Sequence, residues 1–147
     1  MLRVLIVFFL LFLNKNIFAQ EDYFLTLRYN EVNLRQGPSK EYPVKIFYKK
    51  KFLPVLIQDQ SDNFRKTRDH ENNTGWIHVS QLSKKKAAIV LKDEVMMFKE
   101  PTIYSTPIAI LKKGKLVKIS KCKNIWCKTK LGKYKGWVKK EGLWGRF

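Results

Sequence analysis

One motif occurs twice, and its second occurrence divides the chain. Val32-Asn33-Leu34-Arg35-Gln36-Gly37-Pro38-Ser39 returns in degraded form as Val95-Met96-Met97-Phe98-Lys99-Glu100-Pro101-Thr102. Further anchors follow in the same order: Pro38 matches Pro101 at an offset of 63, Phe64 matches Trp126 at 62, and Gly75-Trp76 matches Gly136-Trp137 at 61. Lys66-Thr67-Arg68 likewise meets Lys128-Thr129-Lys130, and Leu82 meets Leu143. An offset that drifts by single residues is what insertions and deletions in turns leave behind in a duplicated unit. With 147 residues in all, the chain has room for two very small domains sharing an interface, and none for a large enzyme core.

The first copy reads as short strands. Residues 21–29 alternate with period two, Phe24, Thr26 and Arg28 on one face and Leu25, Leu27 and Tyr29 on the other, as a lead-in strand. Val32 and Leu34 alternate inward before Gly37-Pro38-Ser39 turns the chain. Residues 44–48 form the next strand, and Pro54 marks either an edge or the start of the one after it. Polar residues 59–63 and 69–74 are expected as turns on either side of the strand at residues 64–68, with Gly75-Trp76-Ile77-His78-Val79 closing the unit. Five or six such strands with turn signals between them predict a small barrel or sandwich, twice. The expected fold class is therefore all-β, with units at residues 20–83 and 84–147 divided at Ser83-Lys84-Lys85-Lys86. That boundary is too short to be a free linker, so the two units should touch.

Residues 1–19 have the layout of a secretory signal peptide: Arg3, an apolar run at 4–13, polar Asn14-Lys15-Asn16, and Ile17-Phe18-Ala19 before the expected cleavage point. The apolar run is about half the ~20 residues a membrane-crossing helix needs, which leaves retention as an anchor the weaker reading. The mature protein is expected outside the cytoplasm, periplasmic or secreted. In that setting Cys122 and Cys127 should be oxidised. A two-residue turn at Asn124-Ile125 would place them opposite each other on adjacent strands, within range of a disulfide.

Charge is the unusual part of the composition. Formal net charge is +18; removing residues 1–19 deletes only Arg3 and Lys15 and leaves +16. Residues 20–83 hold 10 basic and 8 acidic side chains, whereas residues 84–147 hold 18 and 4. Lys112, Lys113, Lys115, Lys128, Lys130, Lys133 and Lys135 recur through the second unit among Trp126, Tyr134 and Trp137. Lysines there either form a solvated face that blunts strand edges or concentrate an anionic partner. For an exported protein the anions at hand are lipid head groups, wall polymers and acidic proteins, and nucleic acid is not expected.

The motif order, with the Tyr42-Pro43-Val44 step, Leu53-Pro54-Val55, Arg65-Lys66 after an aromatic, and Gly75-Trp76-Ile77-His78, resembles a bacterial Src-homology-3 (SH3) domain. Residues 84–147, with Trp126-Cys127, Gly136-Trp137 and Leu143-Trp144-Gly145, resemble the second module of its exported tandem form. The resemblance spans residues 22–147 and implies two small SH3-like barrels that bind cell-wall glycopeptide or protein peptides. It departs from the family pattern at Phe64, where Trp is commoner, and in the second copy, which lacks the Arg-Gln-Gly-Pro core. The alternative is an envelope protein that docks on anionic membrane or an acidic protein through its basic second barrel.

Candidate ligand contacts are Arg35, Tyr42, Tyr48, Trp76 and His78. A guanidinium can grip a carboxylate bidentately, so Arg35 either meets a ligand or is paired internally. Tyr42, Tyr48 and Trp76 would supply the aromatic groove on which SH3-type barrels bind extended chains, though packing also accounts for Trp76. His78 shares a strand face with Trp76 and either bonds within the wall or contacts ligand. His70 should be solvated. No cofactor, metal or catalytic residue is expected: the cysteines are committed to each other, and two histidines alone make no metal or catalytic set.

Overall fold

The computed structural model describes residues 20–147, so the expected signal peptide lies outside the described residues. The first unit comprises β1 (Tyr23–Leu27), β2 (Val32–Arg35), β3 (Val44–Tyr48), β4 (Pro54–Ser61), β5 (Phe64–Arg68), β6 (Thr74–His78) and β7 (Leu82–Ser83). The second comprises β8 (Ala87–Val90), β9 (Glu94–Phe98), β10 (Pro107–Lys112), β11 (Leu116–Lys123), β12 (Trp126–Leu131), β13 (Tyr134–Lys139) and β14 (Leu143–Arg146). Each makes one seven-stranded sheet, ordered β3-β2-β6-β5-β4-β1-β7 and, in the same topology, β10-β9-β13-β12-β11-β8-β14. The fold is all-β with two barrel-like units, and each has more strands than the five or six expected.

The two cores superpose residue on residue at the drifting offset. Leu27, Val32, Leu34, Val55, Ile57, Ile77 and Leu82 form the first core, and their equivalents Val90, Val95, Met97, Val117, Ile119, Val138 and Leu143 form the second. Pro54 opens β4, where its missing N–H costs no ladder bond. Residues 59–61 are strand, not turn. A bulge carries the register from Ile57 opposite Thr67 to Asp59 opposite Lys66, and the pairing continues to Ser61 opposite Phe64. The hairpin thus projects beyond the core, where its side chains are solvated on both faces, and polarity there says nothing about where the strand ends.

A three-residue 3₁₀ turn closes each unit, Val79–Gln81 and Lys140–Gly142. The units are held together through strand faces the alternation left unassigned. Phe24 on β1 meets Trp144 on β14 edge-to-face at 4.8 Å, and Arg146 Nη1 donates to the Phe24 carbonyl at 2.7 Å. Ile89 and Leu116 of the second unit pack on the first unit's core. The connecting lysines are themselves tied down: Thr26 Oγ1 donates to the Lys85 carbonyl at 2.9 Å, Arg146 Nε to Lys84 at 3.0 Å, and the Ile119 amide to Lys86 at 3.0 Å.

Candidate functional site

The sheet register brings three of the five candidates in the first unit to one place. Asp59 faces Lys66, Lys66 faces Trp76, and Trp76 faces Arg35, so these four form a row across β4, β5, β6 and β2 on the outer surface. Arg35 Nη1 donates to the carbonyls of Lys40 at 3.1 Å and Tyr42 at 2.9 Å, which anchors the loop at residues 36–43 beside the row. Tyr42 is 47% exposed, and its ring lies over Gly37, where an added Cβ would come within 2.5 Å of it. Gly37 is therefore required by the close approach of the Tyr42 ring. Ser39 Oγ donates to Glu41 at 2.6 Å, and that hydrogen bond, with a smaller contribution from Arg35, holds the Glu41 carboxyl below its ordinary range. The loop thus presents a tyrosine ring, an internally braced guanidinium and a carboxylate beside a half-buried tryptophan.

His78 lies two residues beyond Trp76 on the same face of β6, but its ring is engaged locally. Nδ1 accepts from the Ser80 amide at 3.2 Å, capping the 3₁₀ turn, and the ring stands edge-on to Phe64 at 5.1 Å. Tyr48 does not reach this surface. It points inward from β3, is 8% exposed, and its hydroxyl donates to Asp69 Oδ2 at 2.8 Å. Burial first, then that hydrogen bond, pushes its phenol well above the ordinary tyrosine range. The inward alternation of Val44, Ile46 and Tyr48 carried this signal. His70 is not solvated either: its ring packs against Trp144 at 6.3 Å between centroids and its side chain is 19% exposed.

The lysines of the second unit do not share one face. Lys112 pairs with Glu94, Lys113 and Lys115 sit at the turn between β10 and β11, and Lys133 lies over Tyr134 at the tip of the β12–β13 hairpin. Lys128, Lys130 and Lys135 do share the outer surface of β12 and β13, joined by two lysines of β11. Lys118 faces Lys130, which faces Lys135; Lys121 faces Lys128, which faces Trp137. Lys118 was missed in the sequence because neither spacing nor neighbours distinguish it. Cys122 and Cys127 face each other across β11 and β12 and are joined by a disulfide, with Asn124 at φ 54° opening the two-residue turn. Among the described residues no group of three or more metal-ligating side chains converges.

Comparison with known proteins matches the family described as bacterial SH3 domain to residues 28–84 and again to residues 91–145. No curated protein matches the chain. Among solved structures, NlpC2 from Trichomonas vaginalis is similar at 15% identity and a TM-score of 0.38, over 85% of this chain and 48% of that one. NlpC1 from the same organism is similar at 16% identity and 0.38, over 84% and 46%. An NlpC/P60 family protein from Bacillus cereus ATCC 10987 is similar at 10% identity and 0.39, over 83% and 56%. The chain spans about half the length of each of these structures.

Proposed function

The chain belongs to the bacterial SH3 domain family, with two tandem copies, and from that premise we propose that it is a non-catalytic binding module of the cell envelope. Its first barrel recognises cell-wall glycopeptide or an extended peptide. The observation that carries this reading is the row Asp59, Lys66, Trp76 and Arg35 beside the exposed ring of Tyr42. An aromatic surface flanked by opposite charges suits a peptide stem that carries both apolar and ionised groups. The absence of catalysis is supported by the joining of both cysteines, which leaves no thiolate, and by the local commitments of His70 and His78. The disulfide likewise supports an extracytoplasmic location, with residues 1–19 as the export signal ahead of units 20–83 and 84–147.

Retention on purified cell-wall sacculi at physiological salt tests the reading. The protein should be retained above a neutral control, and Tyr42→Ala should reduce retention about tenfold, the scale of one exposed aromatic contact. No retention, or retention indifferent to Tyr42 and Trp76, removes the first barrel as the recognition surface. A second reading, docking on an anionic envelope surface through the second barrel, is favoured by the lysines of β11 to β13, which have no carboxylate partner among the described residues. Flotation with anionic against neutral vesicles tests it, and equal binding to both would remove it.

A further inference from the structure

Cationic side chains outside the Arg35 row line two pairs of clefts, one pair on each barrel, bridged by a contact between Lys118 and Phe52. In the first barrel, a cleft of about 520 Å³ lies between Tyr23, Arg28, Arg65 and Lys84. It shares Arg28, Ser83 and Lys84 with a second cleft, about 490 Å³, which Lys51, Phe52 and Lys85 complete. From the second barrel Lys118 reaches over Phe52, its Nζ 4.8 Å from the ring centroid. Lys118 and Lys130 together line two further clefts on the second barrel, of about 340 and 380 Å³, and Lys128 and Lys135 extend the last of them. Among the described residues no carboxylate lines any of the four.

Internal comparison of the two copies shows that the fold does not require this arrangement. In the first barrel the equivalent positions pair Asp59 with Lys66 and place Leu56, Arg68 and Thr74 in one row. In the second they are Lys121 with Lys128, and Lys118, Lys130 and Lys135. Like charges directly opposite one another destabilise a sheet, so the second barrel carries a repulsion its duplicate lacks. Phe52 makes the same point at the junction. It occupies a left-handed turn at φ 66°, where its counterpart Gly114 sits at φ 81°, and the amide of each donates to the equivalent carbonyl, Leu27 or Val90, at 2.8 Å. A bulky residue is strained there and glycine is not. The ring that the strain places at the junction holds the ammonium groups of Lys51 and Lys118, at 5.1 and 4.8 Å.

We propose that these clefts bind a linear polyanion bearing closely spaced phosphate groups, laid from the first barrel across the junction and along β11 to β13. The proposal rests on the anionic-partner reading of the second barrel and names its partner as a chain. Cation-lined clefts on both barrels, bridged where Lys118 lies over Phe52, match a partner that is a chain long enough to reach from one barrel to the other. Both cation types along the path suit phosphate: the Arg28 and Arg65 guanidiniums offer paired donors to its oxygens, and the lysine ammonium groups act as compact point charges for a multiply charged group.

The test is titration of the purified protein with long-chain inorganic polyphosphate and with tripolyphosphate, beside vesicles of anionic and neutral lipid. Long-chain polyphosphate should bind about 100-fold more tightly than tripolyphosphate, because one chain engages several clefts, with steep weakening by salt. Lys118→Gln, which interrupts the path at its midpoint, should lower long-chain affinity about tenfold and tripolyphosphate affinity less than about threefold. Lys113→Gln removes the same charge away from the clefts and should change either by less than about twofold. Phe52→Gly installs the residue of the equivalent turn, so it should weaken long-chain binding while the thermal midpoint does not fall. Absence of length dependence, or equal effects of Lys118→Gln and Lys113→Gln, overturns the proposal. Binding to anionic vesicles without binding to polyphosphate overturns it and leaves the anionic-surface reading standing; binding to neither removes both.

Discussion

At the scale of single residues, the two copies differ most where the first buries polar groups. Asp69 is 2% exposed and its carboxylate accepts from the amides of Glu71 and Asn73, from Asn73 Nδ2 and from the Tyr48 hydroxyl. The equivalent pair in the second barrel is Leu111 and Leu131, so the network is a local solution and no requirement of the fold. Asp69→Ala leaves buried donors without an acceptor and should destabilise the protein by about 2–4 kcal/mol, read from urea denaturation. The Tyr48 phenol ionises less readily in the folded protein than in the unfolded chain. Its contribution to stability is therefore complete below about pH 10 and is lost as pH rises beyond that value. Tyr48→Phe should cost about 1 kcal/mol at pH 7 and flatten the alkaline fall in stability, measured as thermal midpoint against pH. Tyr48 was expected in the aromatic groove, although its alternation with Val44 and Ile46 along β3 points inward. Its partner was not legible, because Asp69 stands in a stretch whose polarity reads simply as a turn.

Among the elements, the β11–β12 hairpin was the most readable and β8 the least. The Asn124-Ile125 turn, read from sequence alone, sets the register that brings Cys122 opposite Cys127, and the observed pairing follows it residue by residue. Replacing both cysteines with serine opens a short loop only, so the expected loss is about 2 kcal/mol, with the fold retained. The direct check is alkylation in denaturant without reductant, followed by intact-mass measurement. No added alkyl groups is the expected result, and two would refute the bond. Denaturant is needed because Cys127 is fully buried. Ala87–Val90 gives no alternation because all four residues are buried, one face in its own core and the other toward the first barrel. A strand covered on both sides has no polar face for a period-two pattern to report.

At the scale of the whole molecule, the junction turns two duplicated units into one folded body. Trp144 packs against both Phe24 and His70, and Arg146 bonds the backbone on either side of it. Trp144→Ala should remove about 2–3 kcal/mol of coupling, the worth of a largely buried large side chain. Calorimetry should then resolve two unfolding transitions where the unaltered protein shows one. A single transition at a lower temperature would mean that the barrels do not fold independently. The same junction places Lys118 of one barrel over Phe52 of the other, the contact at the midpoint of the proposed polyanion path.

The amino-acid order by itself determined the duplication, the all-β class, most strand cores, the Cys122–Cys127 pairing and the concentration of charge in residues 84–147. These rest on periodicity, turn chemistry and near neighbours, which are local and so survive in a one-dimensional record. Tertiary structure alone decided that Asp69 accepts from the Tyr48 hydroxyl, that Tyr42 covers Gly37, that the lysines divide among a turn, a hairpin tip and one sheet surface, and that Lys118 of the second barrel reaches Phe52 of the first. Each depends on which strands become neighbours, and hydrogen-bonded register between distant segments brings together residues whose separation in the chain gives no sign of it.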